Sequence, residues 1–236
     1  MNYDLSPLLL TFRLALVTTV ILFWIGVPFA WWLANTRIRI KPAVEAMVSM
    51  PLVLPPSVLG FYLLLAFSPE HWFGQSLDRI AGLRLAFSFE GLVLASVIFS
   101  FPFLVHPVQA AFQNLPGSLT DAARVLGKSN KQIFWRVLLP NIKPALLSGT
   151  ILAFAHTVGE FGVVLMIGGN LPNQTRVASI AIYDEVEALN YAAANFYAGV
   201  LFVLSFLILL AVYIANRKAL NSNALGFGIH NPRTQK

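Results

Sequence analysis

The stretch Ser118-Leu119-Thr120-Asp121-Ala122-Ala123-Arg124-Val125-Leu126-Gly127, followed at Lys128 by Ser129-Asn130-Lys131-Gln132 and then by Val137-Leu138-Leu139-Pro140, decides how the rest of the chain is read. Ser118, with Asp121 three positions on, predicts a capped helix start. Gly127 is placed to end that helix in the left-handed conformation. Ser129 and Gln132 repeat the capping pattern and predict a second helix through Val137. Pro140 and Pro144 then set the start of the next element. Residues 113–144 thus read as a compact polar knob of two short helices. Its first helix presents Arg124, and Ala122 with Ala123 forms a small-residue face that permits close docking in a groove.

Outward from the knob the chain is apolar. Of 236 residues, 57% are hydrophobic and 11% charged, against about 25% charged in ordinary soluble domains. So few charges cannot cover a water-exposed surface of this size, and lipid must solvate much of it. Five stretches reach the roughly 20 apolar residues a spanning helix needs: 8–34, 44–67, 91–112, 145–168 and 192–215. They are continuous rather than alternating, which favours helices over barrel strands. The first stretch lacks a basic leader and a small-residue cleavage site, so it is expected to be retained. There is no cysteine, hence no disulfide or thiolate chemistry.

The net charge of +6 is sorted by loop rather than spread as on a nucleic-acid-binding surface. Arg37, Arg39 and Lys41, then Arg124, Lys128, Lys131, Arg136 and Lys143, then Arg217, Lys218, Arg233 and Lys236 fall on one side of a five-span chain. The other loops hold only Arg79, Arg84 and Arg176, with Glu70, Asp78, Asp184, Glu185 and Glu187. The positive-inside rule then puts the N-terminus outside and the C-terminus in the cytoplasm. The whole chain, 1–236, reads as one domain with a core of about 8–216. A polar tail at 217–236 is expected to lie loosely in the cytoplasm. The outer loop at 68–88 has room for a small surface helix, and the segment 176–189 also reads as helical.

Two spans carry features that simple spanning does not need. Met50-Pro51-Leu52-Val53-Leu54-Pro55-Pro56-Ser57 holds three prolines, which remove backbone donors and disfavour helix at the preceding residue. An interruption is expected there. Irregular backbone at membrane depth survives only beside protein or a water-filled cavity, so Pro51, Pro55, Pro56 and Ser57 are candidate pathway residues. In the fourth span His156-Thr157-Val158-Gly159-Glu160-Phe161-Gly162 puts a carboxylate inside the membrane, which is costly unless it is paired, protonated or wetted. At a spacing of four, His156 and Glu160 would share one helix face, and Gly159 and Gly162 would permit close backbone approach. An ionised Glu160 would repel an anion, so neutralisation by protonation, by His156 or by Arg13 is expected. A metal centre needs three or four ligands, and no third accompanies this pair, so no metal is assigned. A buried structural hydrogen bond is the plainer alternative.

The spacing Asp121-Ala122-Ala123, three residues, Gly127, nine residues, Val137-Leu138-Leu139-Pro140 resembles the E-A-A-x3-G-x9-I-x-L-P signature of ABC importer permeases. Asp121 stands for Glu and Val137 for Ile. The resemblance implies an all-α type I importer permease fold in which the first knob helix is the coupling helix. It assigns docking roles on an ATPase subunit to Asp121, Ala122, Ala123, Arg124 and Gly127. The chain has no G-x4-GK[ST] phosphate loop, so it is not expected to be an enzyme. ATP and Mg2+ would be used by a separate partner, and no cofactor is expected in this chain. Pro51 to Pro56, Gly159-Glu160-Phe161-Gly162 and Gly169-Asn170 with Thr175-Arg176 narrow the resemblance to the molybdate permeases, near the sulfate/thiosulfate permeases. His156-Thr157 departs from the more usual Arg-Ser or Arg-Ala of those relatives.

That resemblance implies a homodimeric pore, two ATP-binding subunits on the cytoplasmic side, an external oxyanion-binding protein, and residence in the inner membrane of a prokaryote. Molybdate, with tungstate alongside, is the expected cargo. A sulfate permease is the alternative of the same class, and an ion-driven secondary carrier the alternative of another.

Overall fold

A computed structural model describes residues 4–226. The described residues are helical, with no strand among them. In chain order they form α1 (Ser6–Asn35), α2 (Lys41–Val53), α3 (Pro56–Phe67), α4 (Trp72–Ala81), α5 (Phe89–Gln113), α6 (Gly117–Val125), α7 (Asn130–Asn141), α8 (Lys143–Val158), α9 (Gly162–Gly168), α10 (Ala178–Glu187) and α11 (Tyr191–Gly226). Among the described residues α1, α5 and the Tyr191–Ala211 part of α11 are individually long and apolar enough to cross a membrane. Two bent pairs, α2 with α3 and α7 with α8, raise the number to five if each is one span.

α5 is the central post and packs chiefly on α1 and α8. One apolar cluster joins Leu22, Val27 and Leu33 of α1 to Leu104, Val105 and Val108 of α5, and reaches Phe134 and Leu138 of the knob. A second joins Leu10 and Leu14 to Leu92, Phe99, Val163, Val164 and Ile167. Lipid is as apolar as leucine, so such contacts gain by close packing rather than by escape from water. Small residues make the close packing possible. A Cβ at Gly26 would lie 2.5 Å from Leu104 Cδ2, and one at Gly60 would lie 2.9 Å from Met166 Cβ. A third cluster, built on Leu8, Ala178, Ala181 and Tyr197, seats α10 between α1 and α11.

The expected interruption of the second span is present, with α2 and α3 bent by 113°. Leu54 (φ −71°, ψ 136°) and Pro55 (φ −53°, ψ 135°) are both extended. Each precedes a proline, whose ring disfavours the helical conformation at the residue before it. Pro51 stays inside α2, and Pro56 opens α3.

Several expectations need correction. The fourth span is not one helix over 145–168, since α8 ends at Val158 and α9 begins at Gly162. The knob's first helix starts at Gly117 with Pro116 as its cap, and Ser118 lies in its first turn without capping it. Its second helix runs past Val137 to Asn141 through a π-turn at Phe134–Leu138. The turn is closed by the Leu139 N–H donating to Phe134 O. Pro140 has no N–H to offer Arg136, which favours a widened turn there. α11 continues to Gly226, past the point where a loose tail was expected; the remainder of that tail, 227–236, lies outside the described residues. The helices expected near 68–88 and 176–189 are α4 and α10.

Candidate functional site

Two regions gather the residues singled out in the sequence. The first is the knob. Gly127 takes φ +71° and ends α6 in a Schellman arrangement: the Gly127 N–H donates to Arg124 O at 2.9 Å and the Lys128 N–H to Ala123 O at 3.1 Å. Ser129 and Gln132 form the reciprocal capping box that starts α7, with bonds of 3.3 and 3.1 Å. Phe134 anchors the knob, its ring 5.2 Å from Trp31 and 6.1 Å from Phe112. The loop is therefore a folded projection held against α1 and α5.

The structure divides the small-residue pair. Ala123 turns into the apolar cluster, while Ala122 faces outward beside Asp121 and Arg124. Asp121 and Arg124 approach to 3.9 Å as an exposed pair, and such surface pairs contribute at most about 1 kcal/mol. The outward tip also carries Val125, 87% exposed, and Leu126, 75% exposed. The sequence reading passed over both. Two adjacent aliphatic residues left bare on a rigid, otherwise polar projection are the signal that could have marked them.

The second region is a cavity of about 660 Å³ lined by Pro56, Ser57, Phe99, Ala155, His156, Gly159, Glu160, Phe161 and Gly162. It lies where the two interrupted segments meet. A Cβ on Gly162 would fall 2.7 Å from Pro56 Cβ, so the first residues of α3 and α9 touch only because position 162 has no side chain. Pro51 sits elsewhere, in an apolar hollow of about 380 Å³ between α2, Phe29 and α5. Pro55 shapes the break without lining the cavity.

His156 and Glu160 share the cavity but not a helix face. α8 stops at Val158 with Gly159 as its cap, so the expected spacing of four on one helix is lost. His156 stacks on Phe103 at 3.8 Å between ring centroids and lies 4.9 Å from Phe99. These rings, not Glu160, hold the imidazole. Glu160 is only 5% exposed. Its carboxylate oxygens make no well-formed hydrogen bond among the described residues, and the Ser96 hydroxyl is the group that approaches them. Arg13 is not its partner, because the guanidinium lies over the Phe89 ring at 4.6 Å. The main chain of Glu160 is tied down instead, with Ser179 Oγ donating to its carbonyl at 2.6 Å. On the far side of α9, Arg176 Nε donates to Asn170 Oδ1 at 2.7 Å and Asn170 Nδ2 to Asp184 Oδ2 at 2.7 Å. That bracing holds the loop between α9 and α10.

The chain is matched over residues 26–221 by the family model for binding-protein-dependent transport system inner membrane components. It is 49% identical over 217 residues to the molybdenum transport system permease protein ModB of Azotobacter vinelandii, covering 92% of this chain and 96% of that one. It is 34% identical over 208 residues to a protein of Zygnema circumcarinatum named "probable sulfate transport system permease protein", covering 88% and 72%. Among solved structures, a bacterial ABC transporter involved in alginate import superposes with a TM-score of 0.75 at 18% identity, covering 91% of this chain and 79% of that one. An inward-facing MetNI methionine ABC transporter superposes with a TM-score of 0.69 at 21% identity, covering 90% and 94%. The shared fold is that of importer permeases, and the chain belongs to the family of binding-protein-dependent transport system inner membrane components.

Proposed function

We propose that this chain is the permease subunit of an ATP-driven importer that carries molybdate, with tungstate as a near-equivalent, across the cytoplasmic membrane of a prokaryote. The observation that carries this reading is the 49% identity to the molybdenum permease of Azotobacter vinelandii, sustained over 92% of the chain. A sulfate cargo is the second reading, favoured by the relatives named for sulfate at 32–34% identity.

In this reading the chain is a single domain of five spans. α1, α2 with α3, α5, α8 with α9, and α11 each cross once, with the N-terminus outside and the residues from 217 onward in the cytoplasm. The one-sided distribution of Lys and Arg supports that orientation. Two copies wall the pore. Two ATPase subunits use ATP and Mg2+ and grip α6 through Asp121, Ala122 and Arg124, with Val125 and Leu126 as apolar anchors. Ala123 and Gly127 keep α6 in shape. An external binding protein delivers the oxyanion. ATP binding draws the two α6 helices together and turns the pore outward, and hydrolysis resets it. Pro56, Ser57, His156, Gly159, Glu160 and Gly162 line the pathway near its gate, with Pro51 and Pro55 shaping the arm that reaches it. Glu160 organises the helix contact there rather than binding the anion.

The test is uptake into proteoliposomes holding this chain with its ATPase partner and binding protein. ATP-dependent accumulation of molybdate and tungstate in preference to sulfate is expected. Preference for sulfate would move the cargo to the second reading, and uptake without the ATPase would favour an ion-driven carrier.

A further inference from the structure

A polar ladder outside the cavity joins α2 to α5. Gln109 Nε2 donates to Glu45 Oε1 at 2.7 Å, and Ser49 Oγ lies 3.1 Å from His106 Nε2. Lys41 Nζ stands 3.9 Å from Glu45 Oε1, and Ser49 Oγ also bonds Glu45 O at 2.8 Å. Lys41, Glu45 and Ser49 are successive rungs of one α2 face. Residues 45 and 49 meet 109 and 106 in antiparallel register. Neither the identification of the family nor the cavity accounts for these groups.

The rest of the α2 contact is thin. Only Val48 and Pro51 of α2 are buried, and α5 is its principal packing partner. Aliphatic contacts of that size would let α2 slide or rotate against α5. The ladder fixes its register, because slippage by one turn would break both side-chain bonds and leave the buried Gln109 amide without its partner. α5 is joined to α6 by residues 114–116 alone, with the Asn114 N–H bonded back to Ala110 O at 3.1 Å. α2 leads directly to the extended Leu54–Pro55 break and the cavity. One path from α6 to the break runs through α5, then the ladder, then α2; a second runs from α6 through α7 and α8 to Gly162 on Pro56.

We propose that the Glu45–Gln109 and Ser49–His106 pairs are a strut that makes α2 and α5 one moving body, so that displacement of α6 reaches the break at Leu54–Pro55. The four side chains are positioning residues; none touches the cargo. The inference rests on the ATP-driven importer reading, and its alternative is an α2 that swings on its own about Pro55.

The experiment uses the full complex in proteoliposomes, with ATP hydrolysis and molybdate uptake measured together. In the double variant Glu45→Ala/Gln109→Ala, ATPase activity is expected to persist while molybdate carried per ATP falls about fivefold or more. The exchanged pair Glu45→Gln/Gln109→Glu keeps the hydrogen bond and is expected to transport like the wild type, which separates loss of coupling from loss of folding. The chain has no cysteine, so Ser49→Cys/His106→Cys can be bridged by a short bifunctional thiol reagent. Bridging is expected to restore uptake to the wild-type level. Uptake abolished by bridging would show that α2 and α5 must separate and would overturn the strut. Normal transport by the double alanine variant would also overturn it. A wild-type complex without ATP-dependent uptake would defeat the importer reading itself, a distinguishable outcome.

Discussion

The two interrupted segments that meet at the cavity are built in opposite ways. The break between α2 and α3 is made by covalent structure, since Leu54 and Pro55 each precede a proline and each is extended. The break between α8 and α9 contains no proline. Gly159 keeps helical-region angles, and Phe161 at φ −128°, ψ −56° is where the chain leaves the helix. What holds it open is external: Ser179 Oγ on the Glu160 carbonyl, Tyr183 against the Phe161 ring at 5.2 Å, and Gly162 seated on Pro56. One interruption is local and self-sufficient. The other exists because neighbouring elements supply its contacts.

The largest effect is expected from joining the two breaks by force. Gly162→Val places a branched side chain where even a bare Cβ would stand 2.7 Å from Pro56. Overpacking of this kind costs roughly 1–3 kcal/mol, and here it should also close the cavity. A lowered Tm in detergent and loss of uptake are expected. A variant with wild-type behaviour would mean that the segments do not touch.

Next comes Glu160→Gln, which keeps the side chain's shape and removes its ionisable group. Assembly and ATPase activity should survive, with uptake reduced about tenfold, a loss of roughly 1.4 kcal/mol of function. Unchanged uptake would reduce Glu160 to a packing residue. Pro55→Ala/Pro56→Ala tests the covalent break. With two N–H groups restored, α2 and α3 should straighten, and distances between spin labels on the two helices should lengthen. An unchanged distance would show that tertiary contacts enforce this bend too. The smallest effect belongs to Ser129→Ala in the knob, where loss of one capping oxygen costs about 1 kcal/mol. It should lower Tm slightly and leave uptake nearly intact; a large loss of uptake would make the capping box part of the coupling surface.

Much of the fold was legible because its signals are local. Gly127 and the Ser129–Gln132 box act within one or two turns, and the prolines at 51, 55 and 56 act on their immediate neighbours. The readings that failed needed non-local information. The spacing of His156 and Glu160 assumed a continuous helix, which holds only until residues from α3 and α10 compete for that backbone. Ala122 and Ala123 look equivalent in sequence, and only packing against the second knob helix, α7, turns one inward. The ladder of Glu45, Ser49, His106 and Gln109 was invisible because its partners lie 57 and 64 positions apart.

Composition and charge by themselves determined that this chain is solvated by lipid, and the spacing of a few loop residues determined its kinship. Both follow from free energies that individual residues carry with them: transfer into hydrocarbon, proline's missing donor, glycine's left-handed freedom. The tertiary structure decided where the buried carboxylate sits, what holds the histidine, and how the knob is braced against the posts behind it. Those outcomes depend on which helices approach closely enough to exclude lipid, and that is set by shape complementarity between segments far apart in the chain, at positions such as Gly26, Gly60 and Gly162.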